Sequence, residues 1–186
     1  MFRPCKFSGV PVLAWGQGSP DMSTVSVPKT IESVTLIFKL NNEMVARTLA
    51  GLADEECWKQ PAGGGNPIMW LVGHVTIARA QLLKKLGAGY DHGLGTLFDR
   101  GSLRGELSSY PSRQAIESAW HDTRARMREA FATLNEDFLS APPTGRPLPG
   151  VTDNASLIAF SAFHESYHIG QMGYLRKMLG HSGVAG

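Results

Sequence analysis

Four stretches of this chain place apolar residues at helical spacing, and glycine or proline closes each of them off. Nowhere do apolar and polar residues alternate with the period of two that a half-buried strand requires. A chain with four apolar stripes and no strands has to bury them against one another. The expected fold is therefore all-α, a four-helix bundle with crossover connections.

The first helix is expected from about Lys29 to Leu52, with Pro28 at its entrance and an inner stripe of Ile31, Val34, Phe38, Asn41, Val45 and Leu49. Asn41 interrupts that stripe, as a locally bonded polar residue or as the lining of an interior site. Asp54–Trp58 has the makings of a short helical turn. The second long helix is expected from Pro67 to Leu86, capped by Asn66 and stopped by Gly87. Its stripe reads Trp70, His74, Ile77 and Gln81. The third starts near Pro111 or Ser112 and ends near Leu134, on Ile116, Trp120, Thr123 and Met127. The fourth is capped by Thr152, Asp153 or Asn154 and ends at Gly180, after Arg176 and Lys177. Prolines 142, 143, 147 and 149 make the segment before it a crossover. Gly87 to Tyr110 is long and glycine-rich, the character of a lid or binding loop.

The totals narrow the function. A chain of 186 residues with 42% hydrophobic and 18% charged residues suits one globular domain. A formal charge of +2 gives no field for nucleic acid, and Arg124–Arg128 reads as a solvated helix face. No apolar run approaches the roughly 18 residues of a membrane span. Cys5 and Cys57 cannot form a disulfide framework, so a reduced, cytoplasmic setting is expected. Residues 1–28 read as a poorly ordered N-terminal extension, 29–180 as the bundle and 181–186 as a tail. Within the extension Pro11 breaks the one apolar run, which argues against a signal peptide.

The chemistry concentrates in His164-Glu165-Ser166-Tyr167-His168. Histidines four apart on a helix share one face and can grip one divalent ion. Placed on the stripe of Leu157, Phe160, Met172, Leu175 and Leu179, they are expected to point inward. Three metal templates compete. His-Glu-x-x-His suits a zinc protease, but Gln171 and Tyr174 stand where the extended motif wants Gly and His, and no carboxylate follows Glu165. A di-iron site needs a second Glu-x-x-His and further inward carboxylates, which the stripes lack. The third template adds His74 to His164 and His168, three imidazoles with open coordination positions. A metal-free bundle with bonded core histidines is the plainer reading. His92 in Asp-His-Gly reads as a turn residue, and His121 as exposed.

The segments Asn66-Pro-Ile-Met-Trp-Leu-Val-Gly-His74 and His164-Glu-Ser-Tyr-His168-Ile-Gly-Gln171-Met-Gly-Tyr-Leu-Arg176 resemble the DinB-like superfamily over about Ile31 to Leu179. The resemblance implies a four-helix bundle, frequent homodimers and a divalent metal, zinc or nickel, on His74, His164 and His168. It implies a metal-dependent enzyme akin to the thiol-dependent S-transferases, which use low-molecular-weight thiols such as bacillithiol or mycothiol. The ion would activate a thiol or water for attack on a small electrophilic substrate. Asn41, Trp70 and Gln171 are then the expected substrate-lining residues. The alternative is a non-catalytic bundle that uses metal for stability or dimerisation. Neither reading involves nucleic acid or a membrane.

Overall fold

A computed structural model describes residues 26–99, 101 and 106–184. Cys5 and the extension before residue 26 lie outside the described residues, as do 185 and 186 of the tail. The described residues are all-helical: α1 (Lys29–Leu49), α2 (Asp54–Cys57), α3 (Ile68–Lys85), α4 (Arg113–Thr133), α5 (Glu136–Ser140) and α6 (Asn154–Met178), with a 3-10 turn at Leu107–Ser109. None is long and apolar enough to cross a membrane.

The four long helices form the bundle. α6 packs against both α1 and α3, and α3 packs against α4. Phe38 of α1 and Phe131 of α4, with ring centroids 5.6 Å apart, close the circle. α1 and α6 run parallel. Asn41 meets Ser166 midway, and Arg176 near the end of α6 donates to the carbonyls of Thr48 and Ala50 at the end of α1. α3 and α4 also run parallel. Ile116 and Trp120 share one core cluster with Trp70 and Leu71, while Met127 and Phe131 share the other with Leu82 and Leu83. Parallel neighbours need a return path as long as the helix, and 18 residues of helix span about 27 Å. This accounts for the length of the connection from Gly87 to Tyr110. Leu94, Phe98 and Tyr110 of that connection are buried against α3. Covered by α4, α6 and this loop, α3 is buried on most of its circumference. Full burial of a side chain such as Phe98 is worth roughly 1.5–3 kcal/mol.

Side-chain caps open three of the six described helices, α4, α5 and α6. Ser112 caps α4 by accepting from the Ala115 amide. Asp153 caps α6 in a capping box with Ser156. Three expectations need correction. Asn66 does not cap α3: Pro67 occupies that position, and the Asn66 side chain donates to the Gly101 carbonyl at 3.0 Å. α1 stops at Leu49 because Ala50 turns extended and Gly51 takes a positive φ of 71°. α5, which the proline-rich crossover concealed, is capped by Asn135 and buries Leu139 completely.

The largest correction concerns the inner face of α6. Its buried residues are Asn154, Leu157, Ile158, Ala162, Glu165, Ile169, Met172 and Arg176. Of the expected stripe, Leu157 and Met172 are buried while Phe160, Leu175 and Leu179 are half-buried, and His164 and His168 stand half-buried on the wall of a cleft without entering the core. Apolar residues occur all round α6, with Phe163, Tyr167 and Tyr174 exposed, so hydrophobic spacing alone could not fix the face.

Candidate metal centre

The antiparallel packing of α3 on α6 brings His74 over the one-turn step between His164 and His168. The Nε2 atoms of His74 and His164 are 3.4 Å apart, and those of His168 and His164 are 3.2 Å apart. One nitrogen from each of the three residues lies within 4.8 Å of the others. A tetrahedral ion with metal–nitrogen bonds of about 2.0–2.1 Å separates neighbouring ligand nitrogens by roughly 3.3 Å. The two short edges match that spacing.

The tautomers match it too. His74 Nδ1 lies 2.7 Å from the Phe98 carbonyl, which can only accept, so Nδ1 carries the hydrogen. His168 Nδ1 likewise donates to Gln171 Oε1 at 2.8 Å. Both rings therefore aim an Nε2 lone pair at His164, whose Nε2 can supply at most one hydrogen. A shared cation satisfies all three nitrogens, and outer partners of this kind are how metal-binding imidazoles are held. Burial pushes the His168 pKa down, aided by His74 and opposed by the Gln171 bond. The neutral, ligating form is favoured.

The site opens onto a cleft of about 1560 Å³ between α3 and α6. Trp70, buried to 2% exposure, lines it and stacks on the His74 ring at 5.2 Å and 12°. Gln171 lines it as well. Asn41 does not: it is buried in the α1–α6 interface against Ser166, so its polarity serves helix pairing. His121 is exposed, and His92 accepts from the Leu94 amide within a turn, as expected of both. Cys57 is buried away from the cleft, and burial pushes its pKa up, away from the reactive thiolate.

Glu165 is where a zinc protease would keep its base, but it is buried at the inner wall of the cleft. Arg79 grips it through two bonds of 2.6 and 2.7 Å. The pair borders the cleft, with both carboxylate oxygens already taken by the guanidinium.

Three contributors escaped the sequence reading: Arg79, Phe98 and Gly73. A Cβ built on Gly73 would come within 2.6 Å of three Phe98 ring carbons, so only glycine lets the loop seat against α3. A glycine inside a helix costs about 1 kcal/mol, and that cost was the available signal of a packing reason.

A family model described as the DinB superfamily matches residues 37–172, from within α1 to within α6. No curated protein matches the chain.

Proposed function

The chain belongs to the DinB superfamily, and from that premise we propose that it is a metal-dependent enzyme joining a thiol, or water, to a small electrophilic substrate. The observation that carries this reading is the three-histidine cluster on the wall of a cleft. A structural site would be closed by four protein ligands, whereas three imidazoles with a solvent-facing side leave room for a reactant.

A zinc or nickel ion held by His74, His164 and His168 would supply a Lewis acid that lowers the pKa of a thiol or water at neutral pH. The protein's own contribution is placement. Phe98 and Gln171 keep the Nε2 lone pairs of His74 and His168 turned inward. Phe160, Tyr167 and Leu175 of α6 give an uncharged body a surface to lie on and displace water from it, while the buried Trp70 ring backs His74. With Glu165 sequestered, the nucleophile's proton leaves through the open cleft to solvent. Under this reading the thiol is a low-molecular-weight cosubstrate. A homodimer also belongs to the reading, supported by the exposed apolar side chains Leu36, Ile37 and Leu40 of α1.

The test is conjugation of small thiols to a panel of electrophiles before and after chelation. Activity should vanish with chelator, return with zinc or nickel, and be absent in His164→Ala. Conjugation that survives chelation unchanged overturns the reading. Metal uptake with no turnover of any nucleophile would favour the non-catalytic alternative.

A further inference from the structure

One guanidinium touches all four long helices of the bundle. Arg79 of α3 forks onto Glu165 of α6, donates to Asn42 Oδ1 of α1 at 2.8 Å, and lies 3.8 Å over the Trp120 ring of α4. The Arg79 and Glu165 side chains are 2% and 3% exposed. A buried ion pair seldom stabilises a fold more than apolar residues of the same volume, so its presence calls for another account.

The position of the pair provides one. Glu165 falls between the two α6 histidines, on the face that meets α3. Arg79 lies five residues beyond His74, about 7.5 Å along the same helix. Apart from the contacts among the three histidines themselves, α3 and α6 share apolar core side chains such as Ile77, Ile169 and Met172 here, and such contacts tolerate a slide or a small rotation. A bidentate fork does not, because both oxygens must meet both nitrogens in one plane. Metal ligation needs its donors held to within about 0.5 Å.

We propose that Arg79 and Glu165 are positioning residues for the metal centre. Their fork sets the register and rotation of α6 against α3, so that His164 and His168 meet His74 around one ion. This inference rests on the metal reading above and adds the device that aligns it. Asn42 and Trp120 hold the guanidinium in place, which ties α1 and α4 to the same register.

The experiment uses the full chain in three forms: wild type, the apolar double variant Arg79→Met/Glu165→Met, and the conservative Arg79→Lys. Zinc affinity is read by competition with a chromophoric chelator. The visible spectrum of the cobalt-loaded protein reports ligand geometry, and urea unfolding reports stability. The double variant should match or exceed wild type in urea midpoint, bind zinc at least tenfold more weakly, and show an altered cobalt spectrum. Arg79→Lys, which keeps the charge and loses the fork, should also bind more weakly. Wild-type affinity and spectrum in both variants overturn the inference while leaving the metal site intact. Failure of both variants to fold would make the pair a requirement of the fold itself, and that also overturns it. A wild-type chain that takes up no zinc or cobalt removes the metal reading, and the inference with it.

Discussion

Replacing Gly73 with alanine should damage metal binding more than it damages the fold. The added Cβ would fall within 2.6 Å of three Phe98 ring carbons, against an ordinary separation of roughly 3.5–4.0 Å. The ring must therefore retreat by about 1 Å. It cannot swing alone, because it is fully buried and wedged against Tyr110 and Trp70, with centroids 5.3 and 6.4 Å away. The backbone moves with it. The bond from His74 Nδ1 to the Phe98 carbonyl, now 2.7 Å, then stretches to about 3.7 Å, which is no bond. Overpacking of this size costs about 1–3 kcal/mol, and the better helix propensity of alanine returns about 1. The net loss of stability is then about 0–2 kcal/mol. Loss of an outer-shell partner lowers metal affinity by about 10–100-fold. Competition titration with zinc and urea unfolding of the apo-protein separate the two effects. Adding Phe98→Leu to the alanine variant makes room and should recover part of the affinity. An alanine variant that binds zinc within twofold of wild type would refute the argument, and the Phe98 carbonyl would have no part in holding His74.

Three further outcomes follow from the same geometry. Gln171→Leu removes the acceptor for His168 Nδ1 from an exposed position, so zinc affinity should drop about 10–100-fold with little change in the urea midpoint; equal affinity in the titration would contradict the role. Saturating zinc should raise the melting temperature, by the equivalent of about 2.7 kcal/mol at a hundredfold excess over Kd, and EDTA should abolish the gain. The lowered pKa of His168 has a definite sign: the unfolded chain binds the proton first, near pH 6.5. Apo-protein stability that is fully present above that pH should therefore fall as pH drops through the folded value. His168→Asn should flatten this slope in urea melts between about pH 7.5 and 5, and an unchanged slope would assign it to other groups.

Much of the molecule was legible from local pattern. The four long helices follow from their spacing, and the ends of α4 and α6 from Ser112 and Asp153. The pair His164 and His168 is legible because four residues is one helical turn. What escaped depends on residues distant in sequence. Arg79 and Glu165 are 86 positions apart, and nothing near either announces the other. Phe98 acts through its backbone carbonyl, which every residue possesses, so no residue type marks it. The face of α6 was misjudged for a related reason: histidines beside a cleft and exposed aromatics blur the contrast between inside and outside on which periodicity depends.

The hold of Phe98 on His74 divides labour between two kinds of chain. An insertion in a helix rotates everything after it by about 100° per residue and would scatter the ligands. The connection between α3 and α4 carries no such constraint, because loops accept changes of length. Yet one of its carbonyls accepts from His74 Nδ1, and its Asp99 reaches the rim of the cleft. Changes in this loop can thus alter the setting of His74 and the rim of the cleft while the helical scaffold stays untouched.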